Sequence, residues 1–510
     1  MKRRHYDAVI LGTQLEPLVA AALLAKRGFR VLVLGQGELD ASYEIAGRQW
    51  PRSPHTFLAA HSPVARRVFA ELAMGQVFRR RATAMDPSFQ LVMPGLRFDA
   101  TTDDEAMRRE LGREMAEVLR VVDDFHDLAL RTQVDLDRIL VRDLAWPPET
   151  FFERRDFARA TAHQSFDRKG GGLHLFGELP QSHPFRLVVR APGMFASHAD
   201  PTQLSELAQL RLYLAWWRGA AKIEGGEAWV REALTEKIQT YGGEIRPGAK
   251  AARVITKRGS ATGVELATSG EAVGANFVIH GGSLESLTRL VPGASLRQLF
   301  ERYGEPSVRY YRYTLNVEVP AEAVPVGMAS DVFAVRDPRR PLVGPNLLRI
   351  DVRPPDESER RVLSIEVLLE RRAVEEQSNL LDGMRERVLG SLAEVVPFLG
   401  RHVLTVDSPH DGRELQDLAE RKQIAPERPW LRGMRTMPRV HGFPVPGPLG
   451  LSAYPARTSL KRLLFCSAQA VPALGQEGSF LAAASVARLV TKSDRRKERM
   501  RRGLWTKAEL

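Results

Sequence analysis

The chain has 510 residues, 44% of them hydrophobic and 7% aromatic, which is more than one growing core and enough apolar surface for two domains. Its 74 Lys and Arg against 62 Asp and Glu leave a net charge of +12, which favours anionic partners, although no nucleic-acid-binding motif or aromatic-basic platform accompanies it. A single cysteine, Cys466, excludes intramolecular disulfides, a Cys-x-x-Cys redox pair and a cysteine-based zinc cluster, and no run approaches the roughly 20 apolar residues that cross a bilayer.

Residues 7–35 have the order strand, tight turn, helix, strand. An apolar run at 8–11 ends at Gly12, an alanine-rich helix at 18–25 stops before Gly28, and a second apolar strand follows at 31–34. Asp7, Gln14, Glu16 and Pro17 interrupt the apolar run behind Lys2, Arg3 and Arg4, so a βαβ unit explains it better than a signal peptide. In the dinucleotide fingerprint G-x-G-x-x-G, the glycines make the turn, admit a pyrophosphate and let helix and strand pack. Only Gly12 survives here. Gln14 takes the second place, where its side chain crowds a phosphate, and Pro17 the third. Gly35 replaces the acidic residue that ends the second strand and binds a ribose hydroxyl, with Glu38 the nearest acidic substitute. Just beyond, Arg48 and Arg52 are either surface residues or holders of a pyrophosphate by charge-assisted hydrogen bonds.

A first insertion, 70–205, opens with a long helical stretch from Asp103–Asp104, carrying Met107, Leu111, Met115, Val118, Val122, Phe125 and Leu128 near helical spacing. It then turns irregular around His163, Gly170–Gly172, His174 and His183, without metal-ligand spacing. Trp216 and Trp217 either wall a cavity or pack in the core. After Gly225–Gly226, a helix stops at Gly242–Gly243, and three short strands follow at 252–256, 263–266 and 276–279, the last apolar enough to rejoin a buried parallel sheet.

In a second insertion, 290–450, Tyr311, Tyr313, Leu315, Val317 and Val319 alternate with Arg312, Thr314, Asn316 and Glu318, and two further runs repeat the pattern. These predict antiparallel strands covered on one face, followed by an amphipathic helix through Leu381, Met384, Val388, Leu392 and Val395. Finally a strand at 463–466 runs into a loop with Gly475 and Gly478, then a small-residue helix from Phe480. The stretch after Lys492 is basic, with Arg495, Arg496, Lys497, Arg499, Arg501 and Arg502 beside Leu504 and Trp505, as a surface-bound or a solvated segment would be.

The three segments, in this order, resemble the FAD-dependent phytoene desaturase and amine oxidase superfamily. Leu18, Ala20, Ala21, Leu23, Ala25, Gly28, Val31, Val33 and Leu34 in the first segment, Gly225–Gly226 and Gly263–Val264 in the second, and Pro472, Gly475 and Gly478 in the third match that pattern. Gln14, Pro17, Gly35, Ala473, Glu477 and the missing glycine pair between Glu38 and Pro51 depart from it.

The resemblance implies an α/β fold: a discontinuous Rossmann-like FAD/NAD(P)-binding domain (1–70, 206–290, 451–490) and an inserted α+β substrate domain with an antiparallel sheet (71–205, 291–450), followed by a basic tail (491–510). It further implies a cofactor-binding set of Gly12, Thr13, Gln14, Glu38, Arg48, Val254, Gly475, Gly478 and Ser479, with no metal. No side chain stands out as catalytic acid or base; His163, His174 and His183 qualify only as polar groups of the inserted domain.

Two functions follow. One is an FAD-dependent, phytoene desaturase-like oxidoreductase acting on an apolar, polyene or lipid-like substrate. The other is a non-catalytic relative that keeps the fold as a binding or assembly module with weak or lost FAD binding. The partners expected are an apolar small molecule and peripheral anionic membrane, not nucleic acid, in the cytoplasm or at the inner membrane face. Replacing Gln14 and Pro17 by glycine and Gly35 by glutamate should restore FAD affinity if the site is otherwise intact.

Overall fold

The computed structural model describes residues 5–177, 179–292, 296–377, 379–494 and 497–498. Most of the basic cluster, including Arg495, Arg496, Arg499, Arg501, Arg502, Leu504 and Trp505, lies outside the described residues, as do Lys2–Arg4. Among the described residues no helix is long and apolar enough to cross a membrane.

The predicted βαβ unit forms as β1 (His5–Leu11), α1 (Leu15–Lys26) and β2 (Val31–Leu34). β1 is central to a parallel core, pairing with β2 on one side (Ala8 opposite Val31) and Ala272–His280 on the other (Ala8 opposite Phe277). Glu244–Arg246 extends this core beyond β2 and Leu463–Phe465 beyond Ala272–His280, so distant segments close one sheet. Every residue of α1 from Leu18 to Ala25 is buried, as expected of a helix that is apolar all round. Its neighbours are the sheet and the helices Gly226–Thr240 and Gly475–Thr491, which its alanines allow to approach closely. Gly28, at φ +77°, then turns the chain out of the helix.

The second sheet is mainly antiparallel and centred on Ser307–Pro320, which pairs along its length with Arg360–Glu370; Leu347–Val352 and Asp331–Val335 follow outward, and Phe89–Met93 from the first insertion joins in parallel. The helix expected after these strands forms as Met384–Val395. The long stretch from Asp104 breaks at Met115, whose φ of −151° is not helical, into Asp104–Glu114 and Leu119–Leu140.

One expectation fails informatively. The polar face of Ser307–Pro320 is not solvated: Arg312 is 8% exposed, Thr314 and Asn316 0% and Glu318 3%. Instead it binds the other half of the molecule. Asn316 Nδ2 donates to Pro51 O at 2.8 Å, Arg312 donates to Phe195 O at 2.9 Å and Ser197 O at 2.8 Å, and Lys222 Nζ reaches Asp331 and Asp351 from across. Alternation identified two faces but not that both are covered, because polar groups with partners are buried as readily as apolar ones.

Candidate functional site

Gly12 turns the chain out of β1 at φ +123°, donating its N–H to Leu34 O at 2.8 Å. The N–H groups that follow point along the α1 axis, where free donors and the helix dipole favour an anion. That position holds Glu38. Its carboxylate accepts from Thr13 N–H at 2.5 Å and Thr13 Oγ1 at 3.2 Å, and the Gln14 N–H faces it as well. Burial raises the Glu38 carboxyl above the usual range in spite of these donors.

A second carboxylate lies one turn along. Glu16, 4% exposed, accepts from Ser479 Oγ at 2.5 Å, and burial raises its pKa, with the charge of Glu38 adding to the effect. Arg231 closes the other side, donating through Nη2 to Gln14 Oε1 and Glu227 Oε1 and through Nη1 to Leu39 O. A dinucleotide diphosphate entering this turn would meet Glu38 on the Thr13 donors, with Glu16 beside it.

The altered fingerprint positions do structural work. A Cβ at Gly35 would lie 1.9 Å from Pro247 O, so glutamate cannot replace Gly35 and the expected restoration fails at that position. A Cβ at Gly281 would lie 2.6 Å from Pro17 Cγ; the glycine that permits close packing has moved across the contact, from helix to strand end.

From this turn a cavity of about 640 Å³ runs to Ser467, Gln469 and Gln476. His55, His198, His441 and Glu227 line its middle. Burial lowers all three rings to about 4, so they are neutral at pH 7. Burial also acts to raise Glu227, but Arg231, through its charge and its hydrogen bond, outweighs it and holds the carboxyl below its usual range. The cavity thus offers neutral ring nitrogens, amides and the carboxylates of Glu16, Glu38, Glu227 and Glu285 beside Arg231, Arg289 and Arg439, a set suited to a hydrogen-bonding ligand. His55 Nδ1 is buried without a partner.

His441, 5% exposed, lies with its Nε2 3.0 Å from Gln469 Nε2. His280 and His410, 2% and 1% exposed, are lowered by burial to about 4 and about 3. A histidine depressed on folding contributes stability that is present above its unfolded pKa and lost as pH falls through its folded one. The melting temperature should therefore fall between pH 6.5 and 4, with His441 alone contributing a loss of about 3 kcal/mol at the acid limit. Melting curves across that range would show a flatter slope for His441→Gln; an unchanged slope would rule out this source.

The residues anticipated from sequence divide accordingly. Gly12, Thr13, Gln14 and Glu38 meet at the turn, and Ser479 joins them through Glu16. Gly475 and Gly478 are not in a loop but open the helix Gly475–Thr491, where added Cβ atoms would lie 2.0 Å from Ala196 O and 1.9 Å from Val471 O. These glycines serve packing. Arg48 pairs with Glu318 of the second sheet, away from the turn. Val254 is buried opposite Val264 in the outer hairpin and lines neither this cavity nor the one beside it.

His163 and His174 are exposed, and His183 caps the helix Pro184–Ala196. Trp216 and Trp217 are core residues whose indole N–H groups donate to Pro192 O and Thr101 O. The cavity residues missed from sequence are His55, His198, His441, Glu227 and Arg231. They come from four separate segments, Glu227 and Arg231 being an i,i+4 pair on the helix Gly226–Thr240, and the rest carry no spacing signal; only Pro54 before His55 marks a loop.

No family model matches the sequence, and no curated protein does. Solved structures match over nearly the whole chain. An oxidoreductase from Methanosarcina mazei is 14% identical, with 94% of this chain and 99% of that one covered at a TM-score of 0.54. A putrescine oxidase variant from a redesign of cofactor binding is 15% identical, covering 96% and 100% at 0.58. A Pyrococcus furiosus protein is 15% identical, covering 79% and 88% at 0.50. The chain has the mixed α/β fold of these structures.

Proposed function

We propose that this chain is a non-catalytic relative of the flavin-dependent oxidoreductases, a binding module on their fold that holds FAD weakly or not at all. The observation that carries this reading is the Glu38 carboxylate seated on the Thr13 and Gln14 N–H groups. A diphosphate entering there must displace a bound anion and face Glu16, which costs affinity twice, in lost donors and in like-charge repulsion. The packing roles of Gly475 and Gly478 point the same way, since they remove a second set of expected cofactor contacts.

A phytoene desaturase-like oxidoreductase remains the second reading, favoured by the 640 Å³ cavity running from the turn to the end of the parallel sheet. The cavity's histidines, glutamines and carboxylates support a polar occupant more than a polyene.

Purified protein should be colourless, with no flavin absorbance near 450 nm, roughly where flavins absorb, and millimolar FAD should leave the melting temperature unchanged. A yellow protein, or a shift that saturates with FAD, would favour the oxidoreductase.

A further inference from the structure

Arg52, Arg231 and Arg432 line a second cavity, of about 580 Å³, together with Tyr43, Thr13 and Ile245. Each of these guanidinium groups has a buried Nε without an acceptor, and Arg432 has an unmatched Nη1 as well. Each is anchored through other nitrogens of the group. Arg432 Nη2 donates to Asp407 Oδ1 at 2.7 Å and to Ser408 O, Arg52 Nη1 donates to Leu431 O at 3.2 Å, and Arg231 is held by Gln14, Glu227 and Leu39.

Arg52 and Arg432 both lie against the Tyr43 ring, 5.2 and 5.6 Å from its centroid. Burial lowers the Arg52 pKa and the charge of Arg432 lowers it further, although Tyr43 and Asp40 act in the opposite direction. No carboxylate among the described residues forms an ion pair with Arg52. The wall's own carboxylates, Asp40, Glu44, Glu232 and Glu427, are exposed, where water screens them. Arg432 and Arg231 have carboxylate partners in Asp407 and Glu227, so of the three guanidinium groups Arg52 is the one without a counter-ion, while all three carry unused buried donors.

Buried donors in native structures normally have acceptors, and buried like charges normally have a counter-ion. One anion supplies both. Three guanidinium groups from separate elements suit a group that presents oxygens in several directions, as a phosphoryl group does, more than one planar carboxylate. We propose that this cavity binds a phosphorylated small molecule, its phosphoryl oxygens taken by Arg52, Arg231 and Arg432 and its remainder packed against Tyr43. This goes beyond the proposed function: the cavity shares Thr13 and Arg231 with the α1 turn, but Arg52 and Arg432, on which the test rests, are not part of the closed cradle.

The test is calorimetric titration of the full chain with sodium pyrophosphate and with inorganic phosphate, against sodium chloride at matched ionic strength. Pyrophosphate should bind saturably. Its affinity should fall about tenfold or more in Arg52→Gln and in Arg432→Gln, and stay at the parent value in Arg48→Gln, whose guanidinium pairs with Glu318 outside the cavity. Circular dichroism checks folding; if Arg432→Gln does not fold, Arg52→Gln decides, because among the described residues that side chain's one direct hydrogen bond is to Leu431 O.

Absence of pyrophosphate heat beyond the chloride control overturns the proposal, as does equal weakening by Arg48→Gln, which would reveal only the general positive field. Flavin absorbance in the same preparations reports separately on the closed cradle. Yellow protein that still binds pyrophosphate through Arg52 and Arg432 supports this site while overturning the other reading.

Discussion

Glu38→Ala should raise FAD affinity about tenfold or more over the parent chain. The substitution frees the Thr13 and Gln14 N–H groups and removes the charge that a diphosphate would oppose. Charge-assisted hydrogen bonds contribute about 1.5–3 kcal/mol each, and about 1.4 kcal/mol corresponds to a factor of ten in affinity. Stability should change little, because burial already raises the Glu38 carboxyl and offsets what its donors contribute.

Glu38→Gln separates the two causes. Its amide oxygen can still accept from Thr13 while the charge is gone, so FAD affinity should fall between those of the parent and Glu38→Ala. Fluorescence quenching of FAD on binding measures all three proteins. If Glu38→Ala binds no better than the parent, the cradle is not what excludes the dinucleotide, and Gln14 or Arg231 becomes the barrier to examine.

The second large effect concerns stability. Arg211 donates through Nε and Nη2 to both carboxylate oxygens of Glu477 at 2.7 Å and through Nη2 to Asp137 at 2.6 Å, tying three helices together. Arg211 and Glu477 side chains are each 7% exposed. Arg211→Met leaves the buried Glu477 carboxylate without its counter-ion and should cost about 3–5 kcal/mol at pH 7, measured by urea unfolding.

The pH dependence has a definite sign. Burial acts to raise Glu477, but Arg211 outweighs it and holds the carboxyl low, so the parent keeps this stability above the unfolded pKa and loses it as pH falls through the folded one. Without Arg211 the carboxyl rises, so acid relieves the variant and the gap narrows toward pH 5. Arg211→Met with Glu477→Leu should recover most of the loss. A cost below about 1 kcal/mol for the single change would mean that the pair is solvated in solution.

The parallel core was legible in the sequence because buried strands and an all-apolar helix leave long uninterrupted signals, as at Val31–Leu34 and Leu18–Ala25. The site was less legible, because its character depends on contacts between distant residues. Gly35 looks like a lost ribose ligand until Pro247 O is found against it. Arg48 looks like a phosphate ligand until Glu318 is found beside it. Glu38 stands near the turn, but its sequence position does not reveal whether its carboxylate waits for a ligand or replaces one.

The helix Gly475–Thr491 has a consequence in the order of synthesis. Thr491 Oγ1 accepts from Arg27 Nη1 across 464 positions, and the same helix packs along α1. At about 5–20 residues per second, a ribosome needs from roughly 20 to 90 seconds to deliver the second partner after the first. Throughout that interval the alanine-rich flank of α1 has emerged without its cover, so a nascent chain of this protein presents a sticky surface for most of its translation and should be a long-dwelling client of ribosome-associated chaperones.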